Sequence, residues 1–205
     1  MGRGMHTPQS IATERTVVSL ARMLGQSVPE FLRVDPDWTW AVWRAFERIR
    51  SNPGGEIELD HGNGLASGRS EWALWPQKGP YKGEYLLDFV LWESGYGPRI
   101  LCESQWQHRF SAMGAIDWAF DKLRCVKGDI KVLIYEVSEQ PNGSQPPDTV
   151  AKIVTGYLKE LALLSNEEAF LLLNFNDHQK WAHWWKPISS GAPTEIRFTP
   201  IDLAP

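Results

Sequence analysis

The chain lacks any apolar run of the roughly 18 to 20 residues that a membrane-spanning helix needs. Its longest apolar stretches, 85–92 and 169–175, have the length of β-strands. Near the N-terminus, Glu14, Arg15 and Arg22 interrupt the segment in which a signal peptide would need its apolar core. These absences predict a cytoplasmic protein that has no membrane partner.

Cysteine and positive charge are also scarce. Two cysteines, Cys102 and Cys125, are too few for a disulfide framework or a zinc ribbon, which agrees with a reducing compartment. Lys and Arg number 21 against 25 Asp and Glu, so the formal net charge is −4. This balance argues against a protein that coats nucleic acid through a broad positive field. A local basic groove that binds nucleic acid is compatible with it.

Tryptophan, by contrast, is abundant, with 11 residues in the chain. Indole rings can stack on unpaired nucleic-acid bases. Most large aromatic side chains, however, pack in the core or at its rim. The tryptophan count therefore does not assign a function without the positions of the rings.

The apolar periodicity predicts an α/β protein with a mixed sheet flanked by helices. Helices are expected at 14–24, 36–50, 112–126 and 148–164, and strands at 71–75, 84–92, 99–106, 131–137, 169–176, 180–187 and 195–200. Short connections favour an antiparallel meander for the first three strands, and the later strand-helix-strand crossovers favour parallel pairing at one side of the sheet. The chain is expected to be a single domain over 1–205, with N-terminal helices at 10–52, a core at 71–137 and a C-terminal helix and strands at 148–205.

Local signals predict where the first two helices end and begin. Gly25 follows the apolar stripe of the first helix and is expected to terminate it. Asp35 is expected to cap the second helix, with Pro36 in its first position.

Two of the predicted strands carry an acid where an apolar residue is expected. Asp88 interrupts 85–92, and Glu103 interrupts 100–106. A buried carboxylate is costly unless a cation or hydrogen-bond donors compensate it. If the two strands pair, Asp88 stands beside Glu103, and two such carboxylates share either a proton or a hard cation such as Mg²⁺ or Mn²⁺. Gln105 lies on the same strand face as Glu103.

Other interpretations of these acids are open. Asp88 also fits a residue at a strand edge that accepts hydrogen bonds from backbone amides. Glu103 also fits an ion pair with Arg99 or Lys131.

Two further groups of residues suggest chemistry more weakly. Cys102 could act as a nucleophile together with His108. However, it lies on the strand face opposite to that of Glu103 in an apolar strand, so packing is its expected role. Asp177, His178 and His183 suggest a metal cluster, but they lie in a tryptophan-rich segment and are expected to be polar tips of a packed strand and turn.

The acid pattern resembles that of the PD-(D/E)XK, or restriction-endonuclease-like, superfamily. Asp88 is followed fifteen positions later by Glu103-Ser104-Gln105 at the end of the next strand, and then by an amphipathic helix. The resemblance covers about 71–137 and includes the helix-strand-strand-strand-helix-strand order. The segment 103–106, with 120–123 downstream, is similar to small bacterial members with an E-S-[EQ]-W motif. The resemblance implies a restriction-endonuclease-like mixed sheet flanked by helices, preceded by an N-terminal helical segment.

The resemblance also implies roles for individual residues. Asp88 and Glu103 would bind Mg²⁺ or Mn²⁺, and Gln105 would occupy the usual position of the catalytic lysine. Glutamine is neutral, so it cannot supply the positive charge that a lysine gives to the transition state. Many members use one more acid from the helix before the sheet, for which Glu47 is the candidate here and Glu14 the alternative.

The missing positive charge is predicted to come from Lys122. This lysine lies beside the apolar stripe of the helix that follows Glu103, and its long stem can cross from the helix to the sheet. Lys127 and Lys131 are the rival positions. For Glu47, an ion pair with a neighbouring arginine of its own helix is the alternative to a catalytic role.

The sequence thus predicts a metal-dependent nuclease-like protein that hydrolyses phosphodiester bonds of DNA or RNA. The alternative is a catalytically inactive interaction protein that retains the nuclease-like fold. The sequence carries no signal for an oligomeric state.

Overall fold

A computed structural model of the chain describes residues 10–34, 37–59, 71–80, 86–105, 112–135, 168–175, 180–188 and 195–201. The helices are α1 (Glu14–Leu32), α2 (Trp38–Ser51), α3 (Pro53–Glu56) and α4 (Ala112–Arg124). The strands are β1 (Trp72–Trp75), β2 (Phe89–Glu93), β3 (Gly97–Gln105), β4 (Ile130–Tyr135), β5 (Ala169–Phe175), β6 (Lys180–Ile188) and β7 (Glu195–Ile201). None of the helices in these ranges has the length and apolarity needed to cross a membrane.

The strands form one mixed sheet in the order β1-β2-β3-β4-β5-β6-β7. The predicted antiparallel meander of β1, β2 and β3 is confirmed. Parallel pairing joins β3, β4 and β5 in the middle of the sheet, with antiparallel pairs on both sides of them, so the expectation that it lies at one side is wrong. The long connections before β4 and β5 allow parallel pairing, whereas the short connections elsewhere impose antiparallel pairing. The helix predicted at 148–164 lies outside the described residues.

The two faces of the sheet are covered by different helices. A continuous core joins α1 and α2 to the side chains of alternate strand residues, among them Phe89 and Cys102, and Phe46 of α2 stacks on Phe89. Helix α4 packs on the other face, where Phe120 contacts Phe170 of β5. Since successive strand residues point to opposite faces, Glu103 projects toward α4 while Cys102 projects toward α1 and α2.

The predicted end of the first helix and the predicted cap of the second helix are both wrong. Helix α1 continues past Gly25 and Pro29 to Leu32, because Gly25 and Val28 are buried and continue the face that packs on the sheet. Tertiary packing here overrides the local stop signal. The cap of α2 is Asp37 rather than Asp35.

The cap of α2 supports a stability prediction. Asp37 Oδ1 accepts hydrogen bonds from the backbone amides of Thr39 at 3.0 Å and Trp40 at 3.2 Å. Replacing Asp37 by Ala leaves these amides without that acceptor, and the free energy of unfolding should fall by about 1 kcal/mol. Urea denaturation measures the change, with Asp37→Asn as the control that keeps the acceptor. An Asp37→Ala midpoint equal to that of the wild type would contradict the capping role.

Candidate functional site

The structure brings Asp88 and Glu103 together. Asp88 directly precedes β2, and because Phe89 pairs with Cys102, it stands opposite Glu103 on the antiparallel β3. The backbone amide of Asp88 donates a hydrogen bond of 3.0 Å to Glu103 Oε1. We call Asp88 and Glu103 the carboxylate pair.

Hydrogen bonds from Ser104 fix the Asp88 side chain. Asp88 Oδ2 accepts from the Ser104 backbone amide at 2.8 Å and from Ser104 Oγ at 2.9 Å. The alternative in which Asp88 accepts from a backbone amide is therefore realised, but in the same arrangement that places it beside Glu103. Among the described residues, the second oxygen, Asp88 Oδ1, has no hydrogen-bond partner. The pair thus keeps a carboxylate oxygen available for a ligand.

Lys122 supplies positive charge to the pair. Its Nζ forms an ion pair with Glu103 Oε2, and this link joins α4 to β3. Glu103 is fully buried, and the Lys122 side chain is only 16% exposed, so solvent screens the contact poorly. The predicted rivals lie elsewhere: Lys131 pairs with Glu168 at 3.3 Å, and Lys127 is exposed.

Arg99, which the sequence also offered as an ion-pair partner of Glu103, forms its ion pairs with other acids. Its guanidinium is buried between Glu93 and Asp129, with nitrogen–oxygen distances of 2.8 Å to each. Asp129 Oδ2 also accepts a hydrogen bond of 2.9 Å from the Ile11 amide, so this cluster fixes the chain just before α1. The ion pair of Glu103 is thus made with Lys122 rather than with Arg99 or Lys131.

The carboxylate pair is short of positive charge. Burial raises the pKa of Glu103 from 4.5 to about 7, with a further increase from the negative charge of Asp88. The Lys122 ammonium and the Asp88 amide lower the pKa but offset only part of this increase. In the part of the chain that the structure describes, two carboxylates and one ammonium leave one formal negative charge in a buried setting, which favours binding of a proton or a further cation.

The chemistry of the carboxylate pair suits the Mg²⁺ or Mn²⁺ that the resemblance implies. Both ions prefer oxygen ligands, and Mg²⁺ is commonly held by only one or two carboxylates, with waters completing its coordination. The pair supplies two such carboxylates. The described residues contain no group of three or more His, Cys, Asp or Glu side chains arranged to hold a metal. The residues therefore fit a divalent ion held by two carboxylates, not a closed cage of protein ligands.

Gln105 and Glu47 take different positions relative to the pair. Gln105 ends β3 on the Glu103 side of the strand and is half-buried. Glu47 lies on α2, which packs on the opposite face of the sheet, and its carboxylate accepts hydrogen bonds from Arg50 at 2.9–3.1 Å. The contacts that the structure describes thus place Glu47 in the helical ion pair rather than at Asp88 and Glu103. Its alternative, Glu14, is exposed at the start of α1.

The remaining sequence candidates do not form a second site in the described residues. Cys102 is buried in the core, and burial raises the pKa of its thiol well above its usual value, with smaller contributions from the carboxylate pair. A protonated core thiol is a poor nucleophile. His108, Asp177 and His178 lie outside the described residues, as does the side chain of His183.

Sequence reasoning missed the part played by Ser104. It stands in the Glu103-Ser104-Gln105 segment, but its hydroxyl binds Asp88 across the strand pair. Only the register of β2 against β3 shows this, because it places Asp88 opposite Glu103 and so next to Ser104.

Comparisons with known protein families, curated proteins and solved structures find no match to this chain. The geometry of the carboxylate pair and Lys122 therefore carries the functional argument.

Proposed function

We propose that this protein is a metal-dependent phosphodiesterase that acts on nucleic acid, with the carboxylate pair and Lys122 as its active site. The observation that carries the proposal is the convergence of a half-buried and a buried carboxylate with an ammonium group from the next helix. The ammonium stands in for the charge that Gln105 lacks at the usual lysine position.

The topology around the site supports a restriction-endonuclease-like fold, which we propose as the finer class. Apart from the short α3 between α2 and β1, the elements α2-β1-β2-β3-α4-β4 follow in the order expected for that fold. The strand pairs are antiparallel between β1 and β2 and between β2 and β3, and parallel between β3 and β4. Fold alone does not define activity, so the proposal depends on the side chains of the site.

Each residue has a distinct task in the proposed reaction. Asp88 and Glu103 would hold a divalent ion, which when bound supplies Lewis-acid chemistry to the phosphate and its attacking water. The Lys122 ammonium has three N–H donors; one pairs with Glu103, and the others would stabilise negative charge on a phosphate oxygen. Gln105 orients water through its carboxamide, and Ser104 keeps the Asp88 carboxylate in place.

Hydrolysis of labelled DNA and RNA oligonucleotides tests the proposed activity. We expect wild-type protein to cleave in the presence of Mg²⁺ or Mn²⁺ and to be inactive with EDTA. Asp88→Asn should abolish cleavage, because the asparagine retains the acceptor for Ser104 but lacks the charge that binds the cation. Asp121→Asn is the matched control, since Asp121 is an acid of α4 paired with Arg124. Equal cleavage by wild type and Asp88→Asn would refute the proposal.

The second candidate is an inactive interaction protein with the same fold. It is favoured by Gln105, which leaves the usual lysine position neutral. Thermal melts separate the two functions, because an ion that binds the native state must raise stability by mass action. Melting temperatures that are equal with Mn²⁺ and with EDTA would favour the interaction protein.

A further inference from the structure

Among the described residues, two indole rings are exposed on the side of the sheet that carries the carboxylate pair. Trp118 of α4 is 64% exposed, and Trp92 of β2 is 47% exposed. Trp118 precedes Lys122 by four residues, so both lie on one stripe of the helix. Burial alternates along β2, with Phe89 and Leu91 buried and Trp92 exposed, which places Trp92 on the same side of the sheet as Asp88.

The two indoles lie on opposite sides of the carboxylate pair along the strand direction. Trp92 pairs with Pro98 near the start of β3, four residues or about 13 Å along the strand from Asp88. Helix α4 connects the parallel strands β3 and β4 and so runs back against them, which puts Trp118 about 6 Å along the helix axis from Lys122, toward the end of β3. A strand that crosses the carboxylate pair along β3 would meet an indole on each side.

Among the described residues, two cations of α4 near the carboxylate pair are already engaged in ion pairs. The chain has a net charge of −4. Lys122 is held by Glu103, and Arg124 of the same helix is paired with Asp121 at 3.2 Å. Stacking of bases on aromatic side chains is a source of affinity that does not depend on such cations, and it supplies about 1–3 kcal/mol per base.

We propose that the substrate is single-stranded nucleic acid, whose bases stack on Trp118 and Trp92 while its backbone crosses the carboxylate pair. Paired bases in a duplex are stacked on one another and do not offer their faces to an indole, so the two tryptophans select an unpaired strand. This inference rests on the proposed phosphodiesterase function, because that function places the phosphate between the two rings.

Equilibrium binding of a fluorescein-labelled oligothymidylate tests the inference. An Asp88→Asn background prevents cleavage of the probe, and a hairpin duplex serves as the second probe. We expect Trp118→Ala and Trp92→Ala each to raise the Kd for the single strand about 5- to 150-fold and to change the Kd for the duplex little. Val34→Ala is the control, because Val34 is an exposed apolar residue, 76% exposed, just after α1.

Salt dependence separates stacking from charge. The tryptophan variants should leave the slope of log affinity against log salt unchanged, because no charged contact is lost, whereas Lys122→Ala should reduce it by about one. Circular dichroism melts establish that the variants are folded.

An unchanged single-strand Kd in the Trp92→Ala, Trp118→Ala double variant would overturn the inference. Sedimentation in which the wild type is a dimer and Trp118→Ala a monomer would also overturn it, since the ring would then belong to an interface between copies. If both tryptophans govern single-strand binding but the wild type cleaves nothing with Mn²⁺, the binding surface is supported and the phosphodiesterase function is refuted. If the wild type cleaves and the tryptophan variants bind and cleave normally, only the stacking inference fails.

Discussion

Lys122→Ala is expected to lower the turnover of phosphodiester hydrolysis about a hundredfold or more, the usual scale for losing one preorganised electrostatic group. The Lys122 ammonium is the only positive side chain of the described residues that pairs with the carboxylate pair. Its loss removes charge stabilisation from the reaction but no ligand of the cation. We therefore expect the Mn²⁺ affinity to stay the same or to tighten, because a competing positive charge has left Glu103.

Two matched lysines test the specificity of this effect. Lys127→Ala should retain full activity, since Lys127 is exposed beyond α4. Lys131 is buried and paired with Glu168, so Lys131→Ala should lower stability more than it lowers turnover of the folded fraction. Full turnover in Lys122→Ala, together with loss of turnover in Lys131→Ala, would transfer the role to the strand lysine.

Glu103→Gln should remove divalent-ion binding without unfolding the protein. The substitution deletes one of two carboxylate ligands, so the Kd for Mn²⁺ should rise by more than the about 10- to 100-fold that is typical for losing an outer-sphere partner. Isothermal titration measures the Kd, and thermal melts with and without Mn²⁺ measure the stabilisation. A large loss of stability in metal-free Glu103→Gln would instead identify Glu103 as a structural partner of Lys122.

The pKa of Glu103 gives this substitution a pH signature. Because its pKa is about 7 in the folded protein and 4.5 in the absence of interactions, the folded state holds the proton more tightly. The contribution of Glu103 to stability is therefore fully present below about pH 4.5 and is lost as the pH rises through about 7. Glu103→Gln should abolish this part of the pH dependence and leave the metal-free protein at least as stable as the wild type at pH 8.

Protons and metal ions compete for the same carboxylate. The Mn²⁺ affinity of the wild type should increase as the pH rises from 6 to 8, because Glu103 must lose its proton to act as a ligand. Titrations at several pH values check this, and an affinity that is constant over the range would show that Glu103 is not a ligand.

The position of the carboxylate pair was predictable from local sequence. Acids in apolar strands joined by a short turn can meet only if the strands pair, and the alternation of side chains then fixes the face of the sheet. The role of Lys122 was predicted from its place beside the apolar stripe of the helix after β3 and from the length of its side chain. These features depend on short segments, in which periodicity is informative.

Other features depend on contacts between distant segments, so local sequence patterns do not predict them. Gly25 signals a helix end, but packing of α1 on the sheet carries the helix onward to Leu32. The hydrogen bonds of Ser104 depend on the β2–β3 register, in which Phe89 pairs with Cys102 and Asp88 stands opposite Glu103. The sequence did not distinguish an ion pair of Glu47 with Arg50 from a role of Glu47 in the active site, because its position on α2 is compatible with both.

Diffraction from crystals soaked in Mn²⁺ tests the central claim most directly, with data collected for the anomalous signal of manganese. We predict an anomalous peak within about 2–2.5 Å of carboxylate oxygens of both Asp88 and Glu103, and its absence from crystals of Glu103→Gln soaked in the same way. A wild-type crystal that shows no manganese at the carboxylate pair, or shows it only at other carboxylates, would contradict the claim that Asp88, Glu103 and Lys122 form a metal-dependent active site.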